Sequence, residues 1–350
     1  MKKQINKNII LHSLKNIQGL FLVPFFSIVF LVIIIFILSD TPLDALYFFF
    51  LGPAGNSFFF GNMLNDAIPL IFGALGVIIA MKAGNLNLGG EGQIYLGAFI
   101  TTVAAVSLSQ AGVPGAVIAV FAGSLCAGVL AVFSGFCKAK WNTNEMITTF
   151  LVSCAVIPVV NYLVTGPFLD PDTSLISTKK IAENMRLTLI LKPSSLSAGI
   201  FISFIFVILI YLFLNKTRMG YEFRMAGHNE MFARYGGINI KLNTVISLGF
   251  SGFMYGLAGG IAVLGTYYST IKEFSSGLGW SSLAVALIAF FSPAAVIPCA
   301  VFIAWTNTGA RIAMQNTGLT YEVAHIVQAV IFLLSTSLFI RNRIKKGKNI

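Results

Sequence analysis

The chain has 350 residues, of which 57% are hydrophobic and 10% charged, with a mean hydropathy of +0.86. A water-soluble domain carries about a quarter charged residues, so composition excludes a soluble globule, a disordered chain, a collagen-like repeat and a disulfide scaffold, and leaves an all-α integral membrane protein. The net charge of +11 arises from 23 Lys plus Arg against 12 Asp plus Glu; the basic residues lie between apolar blocks, where they orient helices against a bilayer and give no reason to expect nucleic acid.

Residues 1–16 carry Lys2, Lys3, Lys7 and Lys15 and precede a charge-free run over 16–39. That run exceeds a signal-peptide core and has no small-x-small site before Ser39-Asp40, so it predicts an uncleaved first helix. Further charge-free runs cover 67–81, 92–137, 146–169, 193–215, 242–271, 274–310 and 323–340. Gly112, Pro114 and Gly115 split the third of these runs, counted from the N-terminus, and Ser292-Pro293 splits the run 274–310. At roughly 20 residues per crossing, the pattern predicts about ten transmembrane helices. They centre near Ile28, Gly73, Thr101, Ala122, Val156, Phe206, Met254, Leu287, Ile303 and Phe332. The Leu287 and Ile303 segments are short enough to be half-helices, so interrupted helices are part of the expectation. With both termini cytoplasmic, the segment 1–16, the loop 215–243 and the tail 341–350 fall inside, together with 17 of the 23 Lys and Arg. Lys179, Lys180, Arg186, Lys192, Lys272 and Arg311 then fall outside. The whole of 1–350 reads as one membrane domain.

Polar residues within apolar blocks are costly and tend to be buried or to line a pathway. The stretch 81–93 (MKAGNLNLGGEGQ) holds four glycines with Asn85, Asn87, Glu91 and Gln93. Its glycines weaken regular helix. It reads either as a broken helix beside a pathway or as a tight cytoplasmic turn whose Glu91 complements a helix dipole. In 141–149 (WNTNEMITT), Asn144 is placed to cap a helix, Glu145 sits in its first turn and Thr148 follows on the same face. Gly252, Gly256 and Gly260 recur at every fourth position and predict a groove for close helix packing, with Gly76-x-x-x-Ala80 a weaker version. In the basic loop 215–243, Asn229 as N-cap, Glu230 in the first turn and Gly236 as the stop predict a short helix. Such a helix serves either as a docking element or as part of an ordinary solvated loop.

Cys126, Cys137, Cys154 and Cys299 lie in or beside apolar blocks without Cys-x-x-Cys spacing, and read as small buried apolar residues with no metal site. The chain carries no Gly-x-x-x-x-Gly-Lys-Ser/Thr loop for ATP. Ser251 in GFSG and His325 faintly resemble the pair of an intramembrane protease, but so short a motif arises by chance. The plainer expectation is packing around Ser251 and a buried, hydrogen-bonded His325. His12 and His228 read as solvent-facing.

Taken together, five blocks resemble the permease subunits of bacterial ABC importers, of the ribose- and nucleoside-type branch. They are MKAGNLNLGGEGQIYLGA (81–98), NTNEMITTFL (142–151), GHNEMFARYGGINI (227–240), SGFMYGLAGGIAVLG (251–265) and GLGWSSLAVALIAFFSP (277–293). The likeness runs from about residue 60 to the end and is nearest to the nucleoside-type, basic membrane lipoprotein-associated group. Two places depart from that group's pattern: Ser153-Cys154, where Leu-Asn-Tyr is usual, and 289–292, where a Gly and polar residues are usual.

The resemblance implies a multi-pass protein of the bacterial inner membrane that is not itself an enzyme. It implies a second permease subunit, as homodimer or heterodimer, and an outer solute-binding lipoprotein. It also implies an ABC ATPase, carrying ATP and Mg, that docks on Gly227, Asn229, Ala233, Tyr235, Gly237 and Ile238; no cofactor is expected on this chain. Candidate pathway residues are Asn85, Asn87, Glu91, Gln93, Asn144, Thr148, Asn161 and Asn307. Most are neutral hydrogen-bonding groups, which suit a neutral polar solute such as a nucleoside or pentose. A ribose-type sugar permease is the nearer alternative and an ion-coupled secondary transporter the farther one. The latter would need a titratable intramembrane group, and Glu91 and Glu145, read as the only carboxylates near span interiors, both stand at helix starts.

Overall fold

A helix rises 1.5 Å per residue, so crossing a hydrocarbon layer of about 30 Å takes about 20 residues. The computed structural model describes residues 24–318 and, beyond them, 320, 322, 323, 325, 326, 329, 330 and 332–334. Among the described residues, six helical stretches have the length and apolar content to cross: Ser57–Lys82, Ser109–Trp141, Glu145–Thr165, Gly199–Lys216, Ile240–Tyr267 and Pro293–Asn316.

In chain order the helices are α1 (Pro24–Leu38), α2 (Pro42–Leu51), α3 (Ser57–Lys82), α4 (Gly90–Ser107), α5 (Gly112–Trp141) and α6 (Glu145–Thr165). After them come α7 (Gly199–Lys216), α8 (Arg218–His228), α9 (Glu230–Tyr235), α10 (Ile240–Ala262), α11 (Leu278–Ile288) and α12 (Val296–Asn316). A π-helical turn, Val263–Tyr267, extends α10.

The expected ten crossings therefore resolve unevenly. The Gly73, Ala122, Val156, Phe206, Met254 and Ile303 segments are full-length helices. The Thr101 segment is α4, 18 residues long and more polar. The Leu287 segment is α11, whose 11 residues reach about 16 Å, half the hydrocarbon layer. The Ile28 segment is described as the 15 residues of α1, and Phe332 lies in the partly described stretch. The segment 1–16 with its His12, and the tail 341–350, lie outside the described residues.

α3 is apolar all round and buried along most of its length, as a helix at the centre of a bundle must be. α10 lies beside it and packs on α5 through small residues. A Cβ on Gly252 would stand 2.6 Å from the Ala127 carbonyl oxygen, one on Gly256 2.6 Å from the Ser124 Cα, and one on Gly260 2.9 Å from the Thr101 Oγ1. The glycine groove thus has its partner in α5 and α4. Gly76 likewise meets the Ser251 backbone, 2.8 Å from an added Cβ. α6 and α7 stand at the rim and present Phe150, Leu151, Phe201, Ile205, Ile208 and Leu209 outward.

Asp66 lies inside α3 and pairs with Arg311 of α12, so a carboxylate other than Glu91 and Glu145 stands within a span. Two of the four cysteines also depart from expectation: Cys137 and Cys299 are buried, whereas Cys126 and Cys154 face outward from α5 and α6. His325 is exposed where a buried histidine was expected, and Ser251 is fully buried and holds Asn87. His228 is exposed.

The loop between α6 and α7 folds over the end of α10. It contains a two-stranded antiparallel hairpin, β1 (Leu189–Leu191) and β2 (Leu196–Ser197). Backbone hydrogen bonds from Ile181 to Tyr268 (2.7 Å), Leu187 to Leu264 (3.0 Å) and Thr178 to Thr270 (3.1 Å) pin it there.

Candidate functional site

α3 stops where Gly84 turns left-handed at φ +79°. The Gly84 N–H then donates to Met81 O (3.1 Å) and the Asn85 N–H to Ala80 O (3.0 Å), which closes the helix end. Residues 85–89 run on without helix and are largely buried. They carry the chain back into the bundle. Gly90, where α4 begins, lies against Tyr255, and so does Gly73 of α3. Gly73 is nine residues from the end of α3, about 14 Å along its axis. Of the two readings of 81–93, the structure thus has the interrupted helix.

Non-helical backbone at membrane depth needs partners. The Leu88 N–H donates to Thr149 Oγ1 (3.1 Å), Gly89 N–H to Asn87 Oδ1 (2.9 Å) and Gly92 N–H to Ser153 Oγ (2.7 Å). Asn87 donates to Gln93 Oε1 (2.8 Å) and to Ser251 Oγ (3.1 Å). Asn85 donates to Ser247 Oγ (2.9 Å), while its oxygen accepts from Lys138 Nζ (2.9 Å), which also pairs with Glu145 (2.9 Å). Asn85, Asn87 and Gln93 are therefore buried clasps between the interrupted segment and α5 and α10. Ser153, at one departure from the family pattern, is part of the same scaffold.

Glu91 has a different partner set. Its two carboxylate oxygens accept the N–H groups of Gly277 (3.0 Å) and Gly279 (2.9 Å), at the start of the half-length α11. A small crevice opens at this junction, lined among others by Asn87, Gly90, Glu91, Tyr255, Gly279 and Trp280.

The remaining candidates lie elsewhere. Asn144 caps α6, accepting from the Met146 N–H (2.9 Å), and Thr148 donates back to the Asn144 carbonyl (3.2 Å). Asn161 stands 17 residues further along α6, about 26 Å away. It accepts from Tyr95 Oη (2.8 Å) and donates to Glu273 (3.2 Å). Asn307 is half-buried on α12. The eight candidates thus occupy several places and not one site. Tyr255, Trp280 and the Asp66–Arg311 pair were not singled out from the sequence. Tyr255 and Trp280 lie in two blocks of family likeness and carry no local signal, and the two charges sit just beyond charge-free runs. Among the described residues, no three His, Cys, Asp or Glu side chains group closely enough to hold a metal ion.

Beside the end of α3, α9 forms where Asn229 was expected to start it. The Asn229 side chain accepts from the Phe232 N–H (3.0 Å). Gly236 is its C-cap, as expected, and Gly237, at φ +80°, turns the chain away, with Gly237 N–H to Arg234 O (3.1 Å) and Ile238 N–H to Ala233 O (3.0 Å). Ala233 anchors the inner face, while Met231, Phe232 and Tyr235 project outward, Tyr235 86% exposed. Preceding it, α8 was not foreseen as a helix. Thr217 caps it, Phe223 and Ala226 are buried, and Arg224 reaches Leu214 O and Asn215. Its Gly227 packs backbone to backbone on the end of α3. A Cβ there would collide with the Lys82 carbonyl and lie 2.9 Å from the Gly84 nitrogen.

The family described as branched-chain amino acid transport system / permease component matches residues 59–336. A probable riboflavin import permease protein of Treponema pallidum is 33% identical over 305 residues, 86% of this chain and 80% of that one. A guanosine ABC transporter permease protein of Bacillus subtilis is 26% identical over 305 residues, 84% of this chain and 87% of its own length. A glucose ABC transporter permease protein of Haloferax volcanii is 27% identical over 320 residues, 88% and 84% respectively. No solved structure matches the chain.

Proposed function

The chain belongs to the permease-component family of branched-chain amino acid transport systems, as a multi-pass inner-membrane protein, and from that premise we propose that it forms the pathway of an ABC importer for a neutral heteroaromatic solute of nucleoside or flavin type. Hydrolysis of ATP with Mg takes place on a separate ATPase. A second permease subunit, identical or different, completes the pathway, and an outer lipoprotein delivers the solute.

The observation that carries this reading is the backbone contact between Gly227 and the Lys82–Gly84 corner. α9 offers Met231, Phe232 and Tyr235 to a partner on the inner side, and an amphipathic helix with exposed apolar side chains is a docking element. α8 continues into α9 through Asn229, so a push on α9 moves α8. Gly227 then passes the displacement to the corner from which the interrupted segment 85–89 departs. Small shifts at such a junction become discrete rearrangements because packed interfaces are bistable.

The solute class rests on the riboflavin and guanosine relatives together with the aromatic lining supplied by Tyr255 and Trp280. The glucose relative supports a sugar permease as the second reading. The test is uptake of labelled guanosine, riboflavin and glucose by vesicles holding the complete complex. The reading expects uptake of an aromatic probe that stops when the ATPase is made hydrolysis-dead. Uptake sustained by an ion gradient alone refutes the importer, and uptake of glucose only refutes the solute class.

A further inference from the structure

Two interrupted elements meet in the middle of the bundle: the segment 85–89 that leads into α4, and the segment 268–277 that leads into α11. The Glu91 carboxylate joins them, bonding two backbone N–H groups 186 and 188 residues away in sequence. Glu91 is only partly buried, and a small crevice lies beside it. A carboxylate and non-helical backbone are excluded from hydrocarbon, and persist at membrane depth only against protein or a water-filled cavity. This face of the bundle is therefore not a lipid face. On it stands Trp280, one residue beyond the second N–H held by Glu91. Its indole is 44% exposed and lies 6.4 Å, centroid to centroid, from the 41%-exposed ring of Phe150 on α6.

We propose that Trp280 is the stacking surface on which the planar ring of the solute rests during passage, and that Glu91 is the positioning residue that fixes its height and angle by capping α11. This rests on the reading of the chain as a permease for heteroaromatic solutes. Several features of this face favour a flat aromatic ligand over a sugar or an ion. The platform is an indole flanked by a second ring. The neighbouring polar groups Asn87 and Glu91 are already committed to the protein, which leaves the aromatic surface, and not a hydrogen-bonding array, as the free element. The crevice beside Glu91 is too small to enclose a ligand. The ring therefore lies on the exposed face of Trp280, with the other side of the pathway closed by the second subunit. Stacking on an aromatic face tolerates different ring systems because it reads the π surface and not the pattern of donors. That property suits a passage which must release its cargo.

The test uses the complete complex. In a background where Trp141 and Trp305 are replaced by Phe, Trp280 is the sole tryptophan of this chain, and the ATPase and partner subunits are likewise used without tryptophan. Guanosine, riboflavin and ribose are titrated without the solute-binding lipoprotein, and Trp280 emission is recorded. The expected result is saturable quenching by guanosine or riboflavin and none by ribose. Uptake of the same aromatic probe should fall at least about tenfold in Trp280→Ala, as loss of one stacked base implies, and stay within about twofold in Trp280→Phe. Glu91→Ala should red-shift the Trp280 emission and abolish the saturation, whereas Glu91→Gln, which keeps an acceptor, should retain part of it. Wild-type uptake of guanosine or riboflavin together with unsaturable quenching overturns the stacking role alone. So does unchanged uptake by Trp280→Ala. Wild-type uptake of neither aromatic probe overturns the solute class and the stacking role together. Should Trp280→Ala fail to assemble, the quenching titration on the intact Trp280 side chain decides.

Discussion

Adding one methyl group at Gly227 probes the link between the docking helix and the interrupted segment. A Cβ there would meet the Lys82 carbonyl and stand 2.9 Å from the Gly84 nitrogen. Both obstacles are backbone, so no rotamer change relieves them. Ordinary carbon contacts begin at about 3.5 Å, so α8 must retreat from the end of α3 by at least about half an ångström. Overpacking of this kind costs about 1–3 kcal/mol. In the proposed mechanism the displaced surfaces are those that transmit motion, so the same energy enters the coupling between ATP hydrolysis and transport, where it corresponds to roughly 5- to 150-fold. In reconstituted vesicles, Gly227→Ala should therefore bind the ATPase and hydrolyse ATP while the solute moved per ATP falls by at least about fivefold. Gly236→Ala is the matched control: it lies in the same loop, at φ −76°, and its nearest neighbour is the Ala233 carbonyl at 3.4 Å, an ordinary contact. Its transport per ATP should equal the wild-type value. A wild-type ratio for Gly227→Ala, or an equal loss for both variants, refutes the mechanical link.

Three other outcomes follow from the same geometry. Gly237→Arg has open space around its Cβ but must hold φ +80°, at a local cost of about 1–2 kcal/mol; it should insert normally yet fail to co-purify the ATPase, and retained association would remove α9 from the interface. Gly256→Val forces α10 away from the Ser124 backbone and should lower stability by about 1–3 kcal/mol in thermal unfolding of the detergent-purified protein, against almost no change for a substitution at the outward-facing Ile208. Lys138→Ala leaves the nearly buried Glu145 and the Asn85 oxygen without their cation, for a loss of about 1–3 kcal/mol once the lysine's partial exposure is discounted. Pairing it with Glu145→Ala should give less than the sum of the two single losses, and strict additivity in that double-mutant cycle would show that the pair is not coupled.

Much of the architecture was legible because, in a bilayer, each helix must satisfy its own backbone. Apolar runs therefore translate into helices by local rules, and caps follow the same logic: Asn144 and Asn229 begin α6 and α9 as their side chains predict. The packing role of Gly252, Gly256 and Gly260 was readable for a similar reason, since glycines four apart line one helix face whatever lies opposite. Depth was not legible. A polar, glycine-rich stretch between two apolar blocks has the same composition whether it turns at the surface or re-enters the bundle. The choice for 81–93 fell to the contact of Gly90 with Tyr255 in the interior. Asp66 and Arg311 were set aside by a definition of spans as charge-free, although each neutralises the other between α3 and α12.

By itself the sequence determined that this is a multi-pass helical membrane protein, where several of its helices begin, and where the short helix α9 starts. Those properties depend on neighbours within one or two helical turns. Only the tertiary structure decided that Asn87 is spent on Gln93 and Ser251, that Glu91 reaches the start of α11, and that Trp280 stands free beside it. Those properties depend on how helices far apart in the chain are rotated and set in depth against one another. That arrangement is fixed by the packing of the whole bundle and written in no single stretch of it.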